Sequence, residues 1–384
     1  MNRQWLLSLF IVVMALLLSL PACTGSGVGE AAPKAFVAVG IEKELRFFLT
    51  ETIQPPGNST ADPKFKVAQN SAVLDLASRF TQSETGIASE LWVLLSDRIR
   101  RYPTVGLTET STALPAPNAD LALGSSCEEG SYLRLGPGRA LIVCGQKDPS
   151  PPKLFSLPLT GSAGLETTID ISSLGTVTAR KARYALGRDD GLLILQVRSI
   201  SPIFTFWPSR TGPTNATSSK EVNPSIFDGQ LRDLVYENTG TAPNNRALAL
   251  VGFGSSTALV GWNLQTDALP ERGDKALSFS RLMVDARSSP SRRVLFGNAL
   301  AQVNSAGVQP INEYTSIGAL NLSAGAIGFD GFFYATSNDT SNNYLLTLDL
   351  LPTPSSLTSN NFRRVSLDAR PSSVAYVQLV TTTP

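Results

Sequence analysis

Apolar residues in this chain fall in short runs separated by clusters of Gly, Pro, Asn, Asp and Ser, and helical spacing is scarce. Such alternation of β-rich runs with turn-formers predicts short strands. The strongest runs are Phe36–Ile41, Leu91–Leu95, Ala140–Cys144, Leu192–Val197, Ala247–Val251, Val294–Phe296 and Phe332–Ala335, with successive starts 55, 49, 52, 55, 47 and 38 residues apart. Most have a weaker strand on each side. A repeat of about 40–50 residues with several strands per unit marks a β-propeller.

Local signals fit that unit. Tyr184 to Gln196 reads as an inner hairpin turning at Asp190-Gly191, a dipeptide such turns favour, and Ala326 to Ala335 repeats the layout at Asp330-Gly331. Ser71 to Phe80 suits either a short helix or a strand. Ser373 to Val380 is a lone strand, whereas Ala35–Ile41 and Glu44–Leu49 form a hairpin with no inner strand before it. Pairing the last strand with this hairpin closes the ring and removes exposed sheet edges. The expectation is all-β: one propeller over 35–384, with seven four-stranded blades closed by the N- and C-terminal strands. Unequal gaps leave six and eight blades open. A pair of β-sandwiches is the rival, without a clear linker to support it; Pro208–Pro224, the most loop-like stretch, reads as an insertion between blades.

The N-terminus has its own pattern. Arg3 precedes Trp5–Leu20, an apolar stretch of 16 positions, shorter than the roughly 20 a spanning helix needs. A basic start, a short apolar core and a small residue before the cut mark a secretory signal. Leu20-Pro-Ala-Cys23 resembles the lipobox of bacterial lipoproteins. The resemblance implies a signal peptide over 1–22, diacylation of Cys23, and a tether over 23–34 holding the domain to a membrane. In a two-membrane cell, Thr24 after the cysteine implies sorting to the outer membrane. Cleavage at a nearby ordinary site is the alternative and yields a secreted protein. Asp330 to Asn338, Tyr344 to Asp349 and Val365 to Tyr376 together resemble one blade of the YVTN (lactonase-type) propellers plus the start of the next, over about 50 residues. None of that family's catalytic or metal-binding residues has a matching position here.

Composition narrows the chemistry. A net charge of +1, with 16% charged residues, gives no clustered basic face for nucleic acid. The absence of histidine excludes Ser-His-Asp and Cys-His hydrolysis and His-ligated metals. With Cys23 assigned to lipid, Cys127 and Cys144 are left as a pair in an oxidising compartment, and a turn at Gly136-Pro-Gly-Arg139 brings them to one end of a hairpin. Two unpaired thiols are the alternative.

Other candidates read as structural. Asp189, Asp190 and Asp330 are a potential carboxylate set for glycoside cleavage, but their place beside Gly suits turns. The oxygen-rich stretch from Asn338 to Asn343 lacks the spacing of a calcium loop. Gly136-Pro-Gly is too short for a phosphate cradle. Asp97 to Tyr102 suits a solvated basic strand more than an anion site. Phe204 to Trp207 suits core packing, or sugar stacking if exposed. The Asn-X-Ser/Thr sites at Asn58, Asn215, Asn321 and Asn338 matter only in a glycosylating pathway. The functional expectation is an envelope scaffold binding a protein or glycan, with no cofactor and no nucleic acid. A carboxylate glycosidase or lyase at the channel mouth is the alternative; it needs two acids converging there.

Overall fold

The computed structural model describes most of residues 34–379; residues 1–33, 146–151, 168–181, 209–217, 222–230, 238–245, 265–270, 276–282, 285–291, 314–321, 338–342, 350–360 and 380–384, with a few shorter gaps, lie outside the description. The N-terminal expectations, including Cys23, and the four Asn-X-Ser/Thr asparagines therefore fall outside it. The described strands are β1 (Ala35–Ile41), β2 (Glu44–Leu49), β3 (Phe65–Ala68), β4 (Val73–Ser83), β5 (Gly86–Leu95), β6 (Arg98–Pro103), β7 (Ala119–Ala122), β8 (Tyr132–Leu135), β9 (Arg139–Cys144), β10 (Lys153–Pro158), β11 (Glu166–Thr167), β12 (Ala182–Leu186), β13 (Leu192–Arg198) and β14 (Ser201–Trp207). They continue with β15 (Ser218–Glu221), β16 (Leu231–Glu237), β17 (Arg246–Phe253), β18 (Ser256–Asn263), β19 (Glu271–Lys275), β20 (Met283–Val284), β21 (Arg292–Phe296), β22 (Ala299–Asn304), β23 (Gly307–Glu313), β24 (Leu322–Ile327), β25 (Phe332–Ser337), β26 (Tyr344–Asp349), β27 (Phe362–Ser366) and β28 (Pro371–Gln378).

Among the described residues these form seven four-stranded antiparallel sheets. Six are simple meanders of consecutive strands, and the first has the order β28-β1-β2-β3. The strand nearest the C-terminus thus pairs with β1, Ala38 opposite Ala375 and Val37 opposite Tyr376. The stretch resembling a YVTN blade supplies β25 and β26, the end of β27 and most of β28.

Each of the seven strong apolar runs lies on the second strand of its sheet. In the six of these strands other than β21, the described side chains are covered on both faces, so alternation gives way to continuous hydrophobicity. On β5, Leu91, Val93 and Leu95 pack toward the first sheet, with Phe36 and Phe47, while Trp92 and Leu94 pack toward the third, with Leu133 and Ile142. On β13, Leu192 and Ile194 join Leu141 and Tyr184, while Leu193 and Leu195 join Trp262 and Val260 of the fifth sheet. On β1, Val37 and Val39 pack against Tyr334 and Leu345 of the seventh sheet. Along the first five sheets, neighbours in sequence are therefore neighbours in space, and the seventh sheet borders the first.

Of the two alternatives open for Ser71 to Phe80, the strand is the one formed: from Val73 onward it is β4, paired with β5. Two expectations are corrected. The Pro208–Pro224 stretch is not simply a loop: Ser218–Glu221 is β15, the polar outer strand paired with β14. The turn between β12 and β13 is not a two-residue Asp190-Gly191 turn. It spans Gly187 to Gly191; Asp189 and Asp190 take the left-handed conformation, at φ 54° and 56°, while Gly191 sits at −65°. Gly191 is required for space instead, since a Cβ there would lie 2.6 Å from the Phe206 ring.

Cys127 and Cys144 form a disulfide with Cα atoms 4.8 Å apart, tying the segment that enters β8 to the end of β9. Constraining a loop of this length is worth about 3 kcal/mol in the chain-entropy account. Peptide mapping of native protein should link Cys127 to Cys144, and reduction should lower unfolding stability by roughly that amount. Deleting residues 371–384 strips β1 of its partner and exposes an apolar edge, so the truncated chain should aggregate rather than refold, as read by light scattering and circular dichroism.

Candidate functional site

The first strand of each meander has only one hydrogen-bonded neighbour, so its other edge carries unpaired backbone groups. Where β4, β8, β16, β24 and β28 converge, these edges line a cavity of about 100 Å³. Asp75, Arg134, Asp233, Ala324 and Val374 border it, each three or four residues into its strand. The cavity therefore sits toward the end where the chain enters the first strands, here termed the entry face. The opposite end carries the turns between first and second strands and is termed the turn face.

Bulges place both acids. Pairing of β4 with β5 slips between Val73 and Asp75, and that of β16 with β17 slips between Leu231 and Asp233. Such an extra residue re-aims the side chains that follow. Asp75 and Asp233 are buried, at 4% and 3% exposure. Asp75 accepts from the Leu76 amide at 3.0 Å and from the Leu133 amide of the neighbouring sheet at 2.9 Å. Asp233 accepts from the Leu234 amide at 2.9 Å.

Arg134 lies between them. Its Nη2 donates to the Asp233 carboxylate, and its Nη1 is 3.9 Å from Asp75. Nε donates to the Leu234 carbonyl at 3.2 Å, and Nη1 to the Leu133 carbonyl at 3.0 Å. The Tyr132 ring supports the guanidinium at 4.8 Å, and the Tyr132 hydroxyl accepts from the Tyr184 amide at 2.8 Å. Burial opposes the charge on Arg134, but Asp233 and Asp75 outweigh it and hold its pKa above the ordinary value. Burial raises Tyr132, which stays a neutral phenol. Arg183 repeats the device one sheet on, donating to the Arg232 carbonyl at 3.1 Å and the Ala182 carbonyl at 2.9 Å.

Two acids do converge at the cavity, but they are not those anticipated. Asp75 accepts two backbone amides, and Asp233 accepts one amide and the Arg134 guanidinium, so both carboxylates are tied to the cavity walls. Among the described residues no group of three or more His, Cys, Asp or Glu is placed to hold a metal. At the entry face, Arg370 before β28 and Glu129 before β8 form an exposed pair at 2.9 Å. The disulfide lies at the same end.

The anticipated residues take other places. Asp190 accepts from the Gly138 amide at 3.0 Å, so Gly136-Pro-Gly meets a carboxylate of the next sheet. Asp330 does more than shape its turn: it accepts from the Phe332 amide at 3.1 Å, the Tyr334 hydroxyl at 2.5 Å and Gln54 Nε2 at 3.0 Å, joining the seventh sheet to the first. Burial, then the Asp330 charge, raises Tyr334 far above the ordinary phenol value. On β6 the basic cluster is only partly a solvated face. Arg98 and Arg100 meet Asp120, whereas Arg101 is buried, over the Trp92 ring at 5.4 Å, and donates to Asn118. Hydrogen bonds from Arg98 and the Ser71 hydroxyl hold Asp97 below its ordinary pKa. Phe204, Phe206 and Trp207 are core residues. The calcium-loop candidate lies outside the described residues, Asn343 excepted.

Sequence reading missed Asp75, Arg134, Arg183 and Asp233. The available signal was charge set in an apolar first strand, one residue in Tyr132-Leu-Arg-Leu135 and two in Leu231-Arg-Asp-Leu234, which a solvated strand face shares.

No family model and no curated protein matches this chain. Among solved structures, a protein from Lactobacillus plantarum is similar at 13% identity, covering 90% of this chain and 100% of that one, with a TM-score of 0.52. A functionally unknown protein from Desulfotomaculum acetoxidans is similar at 12% identity over 90% and 99%, with a TM-score of 0.50. The Dos1 propeller is a more distant likeness, at 11% identity over 90% and 87%, with a TM-score of 0.41. At these identities the first two likenesses are of fold alone. With its succession of four-stranded meanders, the chain is an all-β protein of the β-propeller type.

The Arg134 clasp generates a direct test. Breaking a buried ion pair from one side costs about 3–5 kcal/mol, so Arg134→Met should lose stability on that scale in urea unfolding. Adding Asp75→Asn and Asp233→Asn should recover part of the loss.

Proposed function

We propose that the seven sheets are blades of one closed ring, and that the protein is an extracytoplasmic binding scaffold of the cell envelope, lipid-anchored through Cys23. Its partner is an envelope protein or glycan. The observation that carries this reading is the engagement of the two cavity acids, Asp233 by Arg134 and Asp75 by two backbone amides. A glycosidase or lyase needs one carboxylate free to give a proton and another free to attack or take one, whereas Asp75 and Asp233 are bound into the walls. A propeller then works through its broad, loop-bearing rims. Export follows from the signal-like N-terminus, and the disulfide suits an oxidising compartment. In a two-membrane cell the anchor lies in the outer membrane; release as a secreted protein is the alternative.

Two measurements test the reading. Cys23→Ala should move the protein from the membrane fraction to the soluble one; retention in the membrane refutes lipid anchoring. Crosslinking in intact cells, followed by capture of the full-length lipidated protein, should return one or two stoichiometric envelope components. Hydrolysis of an envelope polysaccharide that persists in Asp75→Asn and vanishes in no channel variant would move the chemistry elsewhere on the rim, whereas hydrolysis lost in both Asp75→Asn and Asp233→Asn would establish the enzyme reading.

A further inference from the structure

Three facts concern the turn face. The large hydrophobic side chains left exposed among the described residues are Val105, at 41%, and Phe329, at 38%. Val105 follows β6, and Phe329 lies in the turn between β24 and β25, so both belong to this face. Phe329 is braced by the rings of Phe80 on β4 and Tyr376 on β28, with centroids 5.4 and 6.2 Å away. Phe80 lies near the end of β4, which places the two exposed side chains on the same sector of the rim.

The third fact is where the N-terminal segment leaves the domain. Lys34 precedes β1; its carbonyl accepts from the Leu379 amide at 3.0 Å. Its Nζ pairs at 2.6 Å with Glu109, in the same loop as Val105. Lys34, the first described residue, therefore lies at the turn face, paired with the loop that carries Val105.

Reach then decides orientation. Ten residues lie between Cys23 and Lys34, so the chain takes eleven steps, and at a fully extended maximum of about 3.3–3.6 Å per residue it spans at most about 40 Å. Presenting the entry face to a bilayer requires the tether to descend the height of β1, about 23 Å at 3.3 Å per residue. It must also pass outward around two strands, about 10 Å more. That leaves almost no slack, whereas presenting the turn face needs little of the length.

We propose that the turn face is the membrane-apposed surface, with Val105 and Phe329 resting in the headgroup region of the bilayer beside the acylated Cys23. The proposal rests on the lipid-anchor reading above. The acyl chains supply the affinity; two half-exposed apolar side chains bury too little area to add much, and their effect is to fix the tilt. The cavity, the Cys127–Cys144 disulfide and Glu129 then point away from the membrane, toward partners.

The test uses the full-length lipidated protein. Val105→Cys, Phe329→Cys and, on the entry face, Glu129→Cys each add one free thiol, which is labelled with an environment-sensitive fluorophore. The variants are reconstituted into phosphatidylethanolamine–phosphatidylglycerol vesicles with and without a headgroup-proximal spin-labelled lipid, and flotation is measured on the same samples. The expected result is flotation of all three, with quenching at 105 and 329 several-fold greater than at 129. Flotation with equal quenching at all three sites, or with greater quenching at 129, overturns the orientation and leaves the anchor standing. Failure of every variant and the parent to float overturns the anchor and the orientation with it. Matching thermal melts of variants and parent confirm that each label reports on the folded domain; Val105→Cys and Phe329→Cys are independent, so either one carries the comparison.

Discussion

Every four-stranded meander has a first strand with one bare edge. In a stack of such sheets that edge faces inward, where backbone amides and carbonyls are costly to leave unpaired. The side chains that answer this need define the interior. Asp75 takes the amide of Leu133, Arg134 takes the carbonyls of Leu133 and Leu234, the Tyr132 hydroxyl takes the amide of Tyr184, and Arg183 takes the carbonyl of Arg232. Each of these bonds except that to the Leu133 carbonyl crosses from one sheet to another, so the solution to a backbone problem also binds the sheets together.

This accounts for the chemical character of the cavity. Two buried carboxylates and one guanidinium look like catalytic machinery when read as a set of residue types. Read as hydrogen bonds, they are occupied. Buried ion clusters of this kind contribute little net stability over apolar packing, but they are damaging to break from one side. Their presence fits a role in setting which sheets face each other. The two ends of the sheets differ: one holds the disulfide and the Arg370–Glu129 pair, the other holds Val105, Phe329 and Lys34.

The energetic weight lies between the sheets. Second strands such as β5 and β13 send alternate side chains into two different intersheet layers, and each layer is built of large buried residues such as Trp92, Tyr184 and Trp262. Asp97 and Asp368 add a pH-sensitive fringe. Hydrogen bonds from Arg98 and Arg46, respectively, hold their carboxyls below the ordinary range, so their stabilisation is present above that range and fades as the pH falls through it.

The amino-acid sequence alone determined the strand content, the recurrence of one buried strand per sheet and the partnership of the two terminal strands. These depend on local hydrophobicity and on counting, and a doubly covered strand announces itself as an unbroken apolar run. The turn at Gly187–Gly191 was legible only as a turn, because its shape depends on the Phe206 ring two strands away. The Asp75–Arg134–Asp233 clasp was not legible at all. Arg134 lies 59 residues from Asp75 and 99 from Asp233, the three sit on strands of three sheets, and a charged residue in a strand carries no local mark of whether its neighbour is water or a carboxylate. Only the tertiary structure decides that, because only it says which bare strand edges meet and which side chains are near enough to satisfy them.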